Sequence, residues 1–461
     1  MTTIETPILP HRQHFIGNGE TLDLKAICVF AATGFFMGAD TYYREQKVLL
    51  PGKRYVLDGE KMVSETSYFN WYHTPVERPF EQVVAEFAQL FETIIQEQVG
   101  NQKVILPLSG GLDSRTQAAA LQYLQKDVHA YSYELAHGHP ETFYSEQIAA
   151  VCGFPFQKMT IPEGYLWEHL EKIASINECY TEFTHPRQVA VMEQWETMGD
   201  VFCLGHWGDV LFDDMKVAED LPFDAQVNVL FDKVLKKMGV AFAESLWKHW
   251  HLEGDFSTYL RERITEGLRA INIPNSANAQ IRAFKSLYWA PRWTAVNLSF
   301  FEAMKPMALP YFDNRMCEFI CSVPERYLAG RQLQIAYIKL RNPSLAKITW
   351  QDHRPFNLYH YHWNKMPWNL PFRVFQKLNH TVFTKKLVKN NYENQFLGKS
   401  NDIQLRQWLF ENPSFDSLID PTIVKQFYTG FQQEHLKHSH VVSTLLTLSV
   451  FSKREANGLI Y

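Results

Sequence analysis

The sequence lacks the features that mark secreted and membrane proteins. Its apolar runs are all far shorter than a membrane span, and the opening residues, MTTIETPILPHRQHF, have neither the basic nor the apolar region of a signal peptide. The six cysteines are scattered and form no CxxC pair. Cys317 and Cys321 have the spacing of one helix face, which favours packing over metal binding. These absences predict a reduced, cytoplasmic protein without a membrane partner.

The charge balance also excludes a class of function. The net charge is only −5, so no general attraction to nucleic acid is expected. With 461 residues the chain is longer than one hydrophobic core usually supports, which predicts two domains. A hydrophobic content of 46% and an aromatic content of 14% are ample for a packed interior.

The stretch 104–124 reads VILPLSGGLDSRTQAAALQYL and carries the strongest functional signal. Val104–Leu108 has the length of a buried strand, and Arg115–Leu124 is rich in helix formers. A glycine turn between strand and helix directs free backbone N–H groups at an anion. Asp113 would be repelled by a phosphate, so its expected partner is Mg²⁺. The stretch predicts a phosphate site; the alternative is a turn that merely begins a helix.

No GK[ST] follows the glycines, so this is not a Walker loop. The stretch instead resembles the PP-loop of the N-type ATP pyrophosphatases. That resemblance implies that the protein grips the pyrophosphate half of ATP and leaves the α-phosphate open to attack. Enzymes of this kind adenylate an oxygen, release pyrophosphate and then let a nucleophile displace AMP.

The surrounding hydrophobic pattern predicts an α/β fold. Pro79–Val99 has the period of an amphipathic helix. Further strands are predicted at Val128–Tyr133, Phe156–Ile161 and Asp200–Leu204, with intervening helices at Glu141–Gly153, Tyr165–Ile176 and Gln188–Met198. This alternation implies a parallel sheet with helices on both faces. In such sheets ligands bind at the carboxyl ends of the strands.

Regions of different character flank this α/β part. Residues 1–75 are mixed, with a helix predicted at Leu24–Phe36 and a hairpin turn at Asp58-Gly59. Beyond Lys216 the pattern is mainly helical and ends in a buried helix at Val441–Phe451. The lysines of 377–389 are typical of a solvated helix face.

A second polar loop, GHWGDVLFDD at 205–214, follows the strand at 200–204. Alone, Gly-x-x-Gly-Asp is explained by a simple turn. After a strand of the same sheet, it is expected to face the first loop, where Asp113 and Asp209 would share Mg²⁺ over the triphosphate.

With both loops in view, residues 80–450 resemble the synthetase domain of asparagine synthetases and relatives such as β-lactam synthetases and lasso-peptide cyclases. In that group SGGLDS is followed by a loop of the form SGEGADELFGGY. Here the loop reads LGHWGDVLFDDM, and 309–313 (LPYFD) is similar to the group's VPFLD. The resemblance implies a PP-loop, adenine nucleotide alpha hydrolase-like fold, ATP and Mg²⁺ as cofactors, and a carbon–nitrogen ligase.

Glutamine-using members of that group carry a catalytic cysteine at the start of a glutaminase domain. Here residue 2 is Thr2 and the first cysteine is Cys28. Residues 1–75 are therefore expected to be a remnant resembling the end of that domain, and 76–461 the synthetase domain. The nitrogen donor is expected to be ammonia or an amine, supplied from solution or by a separate glutaminase.

Two further departures concern candidate catalytic residues. His206 stands where the group has Glu or Tyr, a position tied to handling the attacking amine, and histidine can serve as that base. A structural histidine is the alternative. In WQDHRPF at 350–356, the group's RxKxxF lysine becomes His353, beside the always-charged Arg354. Either is a candidate cation at the α-phosphate, and an ordinary loop arginine is the alternative.

These features predict an ATP-dependent, AMP- and pyrophosphate-forming ligase that adenylates a small-molecule or peptide carboxylate and forms an amide. The predicted ATP- and pyrophosphate-binding residues are Leu108, Ser109, Gly110, Gly111, Asp113, Ser114 and Gly205; the metal ligands are Asp113 and Asp209; and the catalytic residues are His206, His353 and Arg354. The alternatives are a thiolating or tRNA-modifying PP-loop enzyme and a non-catalytic ATP-binding homologue.

Overall fold

The computed structural model describes residues 1–59, 61–136, 142–374 and 395–458. The lysine-rich stretch 377–389 and the predicted helix start at Glu141 lie outside these residues. The amino-terminal region contains five short strands: β1 (Thr2–Glu5), β2 (Phe15–Ile16), β3 (Lys47–Val48), β4 (Lys53–Asp58) and β5 (Lys61–Ser67). Strands β1, β4 and β5 form one antiparallel sheet, and β2 pairs with β3. The β4–β5 hairpin confirms the turn predicted at Asp58-Gly59.

Helix α1 (Leu24–Thr33) joins this region to the rest of the molecule. The Asp23 carboxylate caps its first turn, and Gly34 ends it in the left-handed conformation with φ of 82°. From Ala26 to Thr33 every residue is buried. A Cβ atom at Gly239 would lie 2.2 Å from the Ala32 carbonyl oxygen, so glycine permits this close packing. Helix α1 thus belongs to the main hydrophobic core, whereas Leu49, Tyr55 and Leu57 form a second, smaller cluster. The predicted boundary at 75/76 stays a prediction.

The central sheet has five strands, all parallel to their neighbours. They are β6 (Val104–Pro107), β7 (Val128–Leu135), β8 (Phe156–Ile161), β9 (Val201–Cys203) and β10 (Met307–Ala308). Their order is β10-β9-β6-β7-β8. The parallel sheet is confirmed. Only β10 lacks a predicted counterpart, because two residues are too few to show a period.

Helices flank this sheet, as the alternation predicts. They are α2 (Phe80–Val99), α3 (Asp113–Tyr123), α4 (Thr142–Cys152) and α5 (Tyr165–Asn177). The helix predicted at Gln188–Met198 is confirmed, and it is a 3₁₀-helix at Arg187–Trp195. Val189, Met192 and Trp195 are buried there at every third residue, which is the period of a 3₁₀-helix.

The remainder is helical, as predicted. Its helices are α6 (Gly208–Leu211), α7 (Phe223–Val234), α8 (Gly239–His249), α9 (Phe256–Ile271), α10 (Ala277–Tyr288), α11 (Ala295–Glu302), α12 (Asn314–Cys321), α13 (Glu325–Leu328), α14 (Gln332–Arg341), α15 (Pro343–Ala346), and then Lys399–Phe410, Pro413–Leu418, Pro421–Gln433 and His435–Ala456. The last contains the predicted buried helix. In the part of the chain that the structure describes, every helix is too short or too polar to span a bilayer.

Candidate active site

Two neighbouring strands bring the two polar loops together. SGGLDS follows β6, the GHWGD loop follows β9, and these strands pair in parallel. A Cβ atom at Gly205 would lie 3.0 Å from Asp113 Cβ, and one at Gly208 only 2.2 Å from Asp113 Oδ1. The two glycines of the second loop are therefore what allows its backbone to approach Asp113.

Serine hydroxyls fix the shape of the first loop. The Ser109 N–H donates to Ser114 Oγ at 3.1 Å, and the two hydroxyl oxygens are also 3.1 Å apart. The Gly111 N–H donates to Ser109 Oγ at 3.3 Å. Asp113 then begins α3, where a carboxylate is favoured by the helix dipole. The loop is thus a closed turn at the amino terminus of a helix, the arrangement that suits an anion.

Arg115 fastens this loop to a distant segment. Its buried guanidinium donates to the Gly110 carbonyl at 3.2 Å and to the carbonyls of Ile348 and Thr349 at 3.0 and 2.9 Å. A Cβ atom at Gly110 would lie 2.2 Å from Gln351 Oε1, so residues 348–351 cover the glycine turn. We call this link between the glycine turn and residues 348–351 the Arg115 clamp. The sequence predicts Arg115 only as the first residue of a helix, and no local pattern predicts these contacts.

The Asp113 carboxylate is held by two side chains from the helical region. Arg331 contacts it directly, and Gln334 donates to the same oxygen at 3.1 Å. Gln334 also donates to the hydroxyl of Tyr311, in the LPYFD motif, at 2.9 Å. Burial raises the pKa of Asp113 to about 6; Arg331 opposes this rise and the charge of Asp209 adds to it. Asp113 is thus poised to gain from a cation.

A cavity of about 620 Å³ opens beside these groups. Of the predicted site residues, it brings together Leu108, Ser109, Asp113, Ser114, Gly205, His206 and Asp209. Gly110 and Gly111 are not part of its lining, and Gly110 lies under Gln351. Aromatic side chains form much of the remaining wall: Tyr131, Tyr133, Trp207, Trp289, Trp293 and Phe301. The cavity therefore combines groups that suit an anion with a largely aromatic wall.

His206 is also part of the cavity lining. Its Nδ1 is buried and has no hydrogen-bond partner among the described residues, and its ring meets Phe301 edge-on at 5.8 Å. Burial lowers the pKa of His206 to about 4, although the charge of Asp209 acts in the opposite direction. The imidazole is therefore neutral at physiological pH.

His353 and Arg354 do not line the cavity. His353 stacks on Trp350 with ring centroids 4.0 Å apart and meets Tyr361 edge-on. Arg354 Nε donates to the Gln351 carbonyl at 3.0 Å. Their segment reaches the first loop through Gln351 instead, so a catalytic role for His353 or Arg354 stays a prediction.

The donor set of the site fits magnesium. Within the described residues no cluster of three or more His, Cys, Asp or Glu side chains could hold a metal ion. Mg²⁺, however, is usually held by one or two carboxylates, with phosphates and water completing its shell. Asp113 and Asp209 supply two carboxylates in one cavity, and Asp113 has a pKa raised by burial and by Asp209.

Comparison with known proteins agrees with this geometry. A family model described as asparagine synthase matches residues 86–334, more than half of the chain. A search of curated protein sequences gives no match. The matched range includes both polar loops and the LPYFD motif, whereas the segment 350–356 lies beyond it. The chain belongs to the asparagine synthase family, whose members are ATP-dependent, amide-forming ligases.

Proposed function

We propose that this protein uses ATP to adenylate a substrate carboxylate, releases pyrophosphate, and forms an amide with ammonia or an amine. One observation carries the proposal: the SGGLDS turn and Asp209 meet in one cavity at the carboxyl ends of β6 and β9. This is where a parallel sheet binds its ligand. The family supplies the reaction class, and the cavity supplies a place for it.

The residues divide the work as follows. The backbone N–H groups at the start of α3 and the hydroxyls of Ser109 and Ser114, which line the cavity, bind the leaving pyrophosphate. Asp113 and Asp209 would hold Mg²⁺, which supplies positive charge to the phosphates. A carboxylate oxygen attacks the α-phosphorus, and the bond from that phosphorus to the bridging oxygen of pyrophosphate breaks. The amine nitrogen then attacks the acyl carbon, AMP leaves, and the amine proton passes to the neutral imidazole of His206, which lines the cavity.

The cavity wall also supports a substrate class. Trp207, Trp289, Trp293 and Phe301 form part of the cavity wall. Aromatic surfaces favour apolar or aromatic groups over a second charge. The proposed substrate is therefore a carboxylic acid with an apolar or aromatic body, which agrees with a histidine at 206 where asparagine synthetases have glutamate.

The thiolation alternative has less support. All six cysteines are buried and free, and burial raises the pKa of each of their thiols. A sulfur-carrying cysteine needs an accessible thiolate. A role as a non-catalytic ATP-binding homologue is an outcome of the following test.

The test is the nucleotide product. The protein is incubated with ATP, Mg²⁺ and ammonium together with pools of aromatic, apolar and acidic carboxylates, and AMP and pyrophosphate are quantified. Wild type and Asp127→Asn, an exposed control before β7 at the opposite end of the sheet, should form both products, whereas Asp113→Asn should form neither. ADP and phosphate as products would refute attack at the α-phosphate. ATP binding without turnover in any pool would favour the non-catalytic homologue.

A further inference from the structure

We infer that Lys285 brings positive charge to the α-phosphate of the bound nucleotide, as a further catalytic residue of the reaction proposed above. This inference rests on the proposed function for its ligand. It concerns a residue outside both polar loops and outside the segment 350–356.

The position of Lys285 is the first argument. It lies in the last turn of α10, and its side chain lines the same cavity as Ser109, Asp113 and Asp209. Among the described residues it is the one lysine or arginine in that lining. Arg331 is engaged with Asp113 and Gln334.

The surroundings of the Lys285 ammonium are the second argument. It lies 5.7 Å from the ring centroid of Trp207 and 5.4 Å from that of Trp289. Two indole faces hold a cation in place without neutralising it, and no carboxylate of the described residues forms an ion pair with it. Burial lowers the pKa of Lys285 to about 8, the charge of Asp209 opposes this change, and Lys233 and Arg282 add to it. The amine is therefore mainly protonated at pH 7, and an incoming anion would stabilise its charge.

The contact with Trp207 indicates which anion Lys285 meets. Trp207 belongs to the loop after β9, whereas the N–H groups that suit pyrophosphate belong to the loop after β6. Lys285 thus reaches the cavity beside the loop after β9 and not from the pyrophosphate loop itself. We assign it to the α-phosphate because the pyrophosphate loop leaves that phosphate open. Attack there adds negative charge to the phosphate oxygens, and a positioned cation stabilises that charge in the transition state. Lys285 therefore supplies a cation to the cavity, whereas His353 and Arg354 lie outside its lining.

Ligand binding tests the inference without knowledge of the carboxylate. AMP, adenosine and magnesium pyrophosphate are titrated calorimetrically into wild type, Lys285→Met, Lys285→Arg and Lys339→Met. Lys339 is the matched control, because it also lies over an aromatic ring, that of Tyr359 at 4.9 Å, but outside the cavity. Lys285→Met should bind AMP about tenfold more weakly, or about 1.4 kcal/mol. Its adenosine and pyrophosphate affinities should stay within about twofold, and Lys285→Arg and Lys339→Met should resemble wild type.

Three outcomes would overturn the inference. If Lys285→Met binds AMP as tightly as wild type does, Lys285 makes no contact with the phosphate. If it loses adenosine affinity as much as AMP affinity, the role of Lys285 is structural. If wild type binds no AMP, Lys285 has no phosphate ligand. The two proposals fail separately. Suppose that wild type forms no AMP from ATP while Lys285→Met still loses affinity for AMP and keeps its affinity for adenosine. In that case the proposed reaction is wrong, but the contact between Lys285 and the phosphate stands. Once a carboxylate is found, kcat should fall more than KM rises in Lys285→Met; an unchanged kcat would refute the catalytic role.

Discussion

Replacing Arg115 tests whether the phosphate loop depends on a clamp from the distant segment 348–351. Arg115→Met keeps the bulk of the side chain and removes three charged hydrogen bonds to carbonyls, which together contribute about 6 kcal/mol. Burial of the charge works against this, since it lowers the pKa of Arg115 to about 10, a cost of about 3 kcal/mol. The variant should therefore lose about 3 kcal/mol. At about 2.1 cal/mol/K of unfolding entropy per residue, that corresponds to a Tm lower by about 3 °C.

The assay combines thermal unfolding with hydrogen exchange. Exchange should quicken at the Gln351 amide, which donates to the Gly110 carbonyl, and pyrophosphate binding should weaken as the loop loosens. Arg44→Met is the control, because Arg44 is exposed, and it should match wild type in all three readouts. Arg115→Lys keeps the charge without the planar fork and should fall between wild type and Arg115→Met. If Arg115→Met matches wild type in both Tm and exchange, the clamp is not what orders the loop.

Three further outcomes follow from the same site. Gly208→Ala should weaken pyrophosphate binding and lower Tm by about 1–3 °C, because its Cβ would lie 2.2 Å from Asp113 Oδ1 and 2.8 Å from the Tyr311 ring; calorimetry that finds wild-type affinity would contradict the close approach. The difference in unfolding free energy between Asp113→Asn and wild type should shift in favour of the variant by at most about 3 kcal/mol from pH 4 to pH 7.5, because burial raises the pKa of Asp113 to about 6 and ionisation above that pH destabilises the wild type; a difference independent of pH would refute this. Glu325→Gln should lower the free energy of unfolding by about 3–5 kcal/mol, because it leaves buried Arg282 without its carboxylate. Denaturant unfolding measures this change, and a loss below about 1 kcal/mol would show that the ion pair is dispensable.

The sequence predicts well whatever is set by local periodicity. Val104–Leu108 and Phe156–Ile161 are short apolar or alternating runs, and both are strands within one residue of the predicted bounds. Gly34 ends α1 because a left-handed residue there favours glycine. Since each polar loop directly follows a strand, the meeting of Ser109 and Asp209 in one cavity follows from the parallel sheet.

The cations of the site could not be predicted in this way. The position of the group's lysine, counted back from Phe356, is occupied by His353. The ring of His353 stacks on Trp350 and does not line the cavity. Spacing along the sequence cannot predict this packing. Arg331 is 218 positions from the carboxylate that it contacts. It reaches Asp113 from a left-handed backbone with φ of 62°, directly after Gly330, so its direction is set by a turn rather than by a helix face. Lys285 reads in the sequence as one more polar residue of an amphipathic helix.

The division between predicted and unpredicted residues has a physical origin. Anion-binding groups of this kind are mostly backbone N–H groups, so they need a glycine turn after a strand, and such a turn is visible in one stretch of sequence. Positive charge at the reacting phosphate needs a long side chain, which can arrive from any element within about 6 Å and leaves no local pattern. Loss of a lysine at one position of a motif therefore does not imply loss of the charge. In this chain Lys285, which lies over the rings of Trp207 and Trp289 in the cavity lining, is the cation that we propose for that charge.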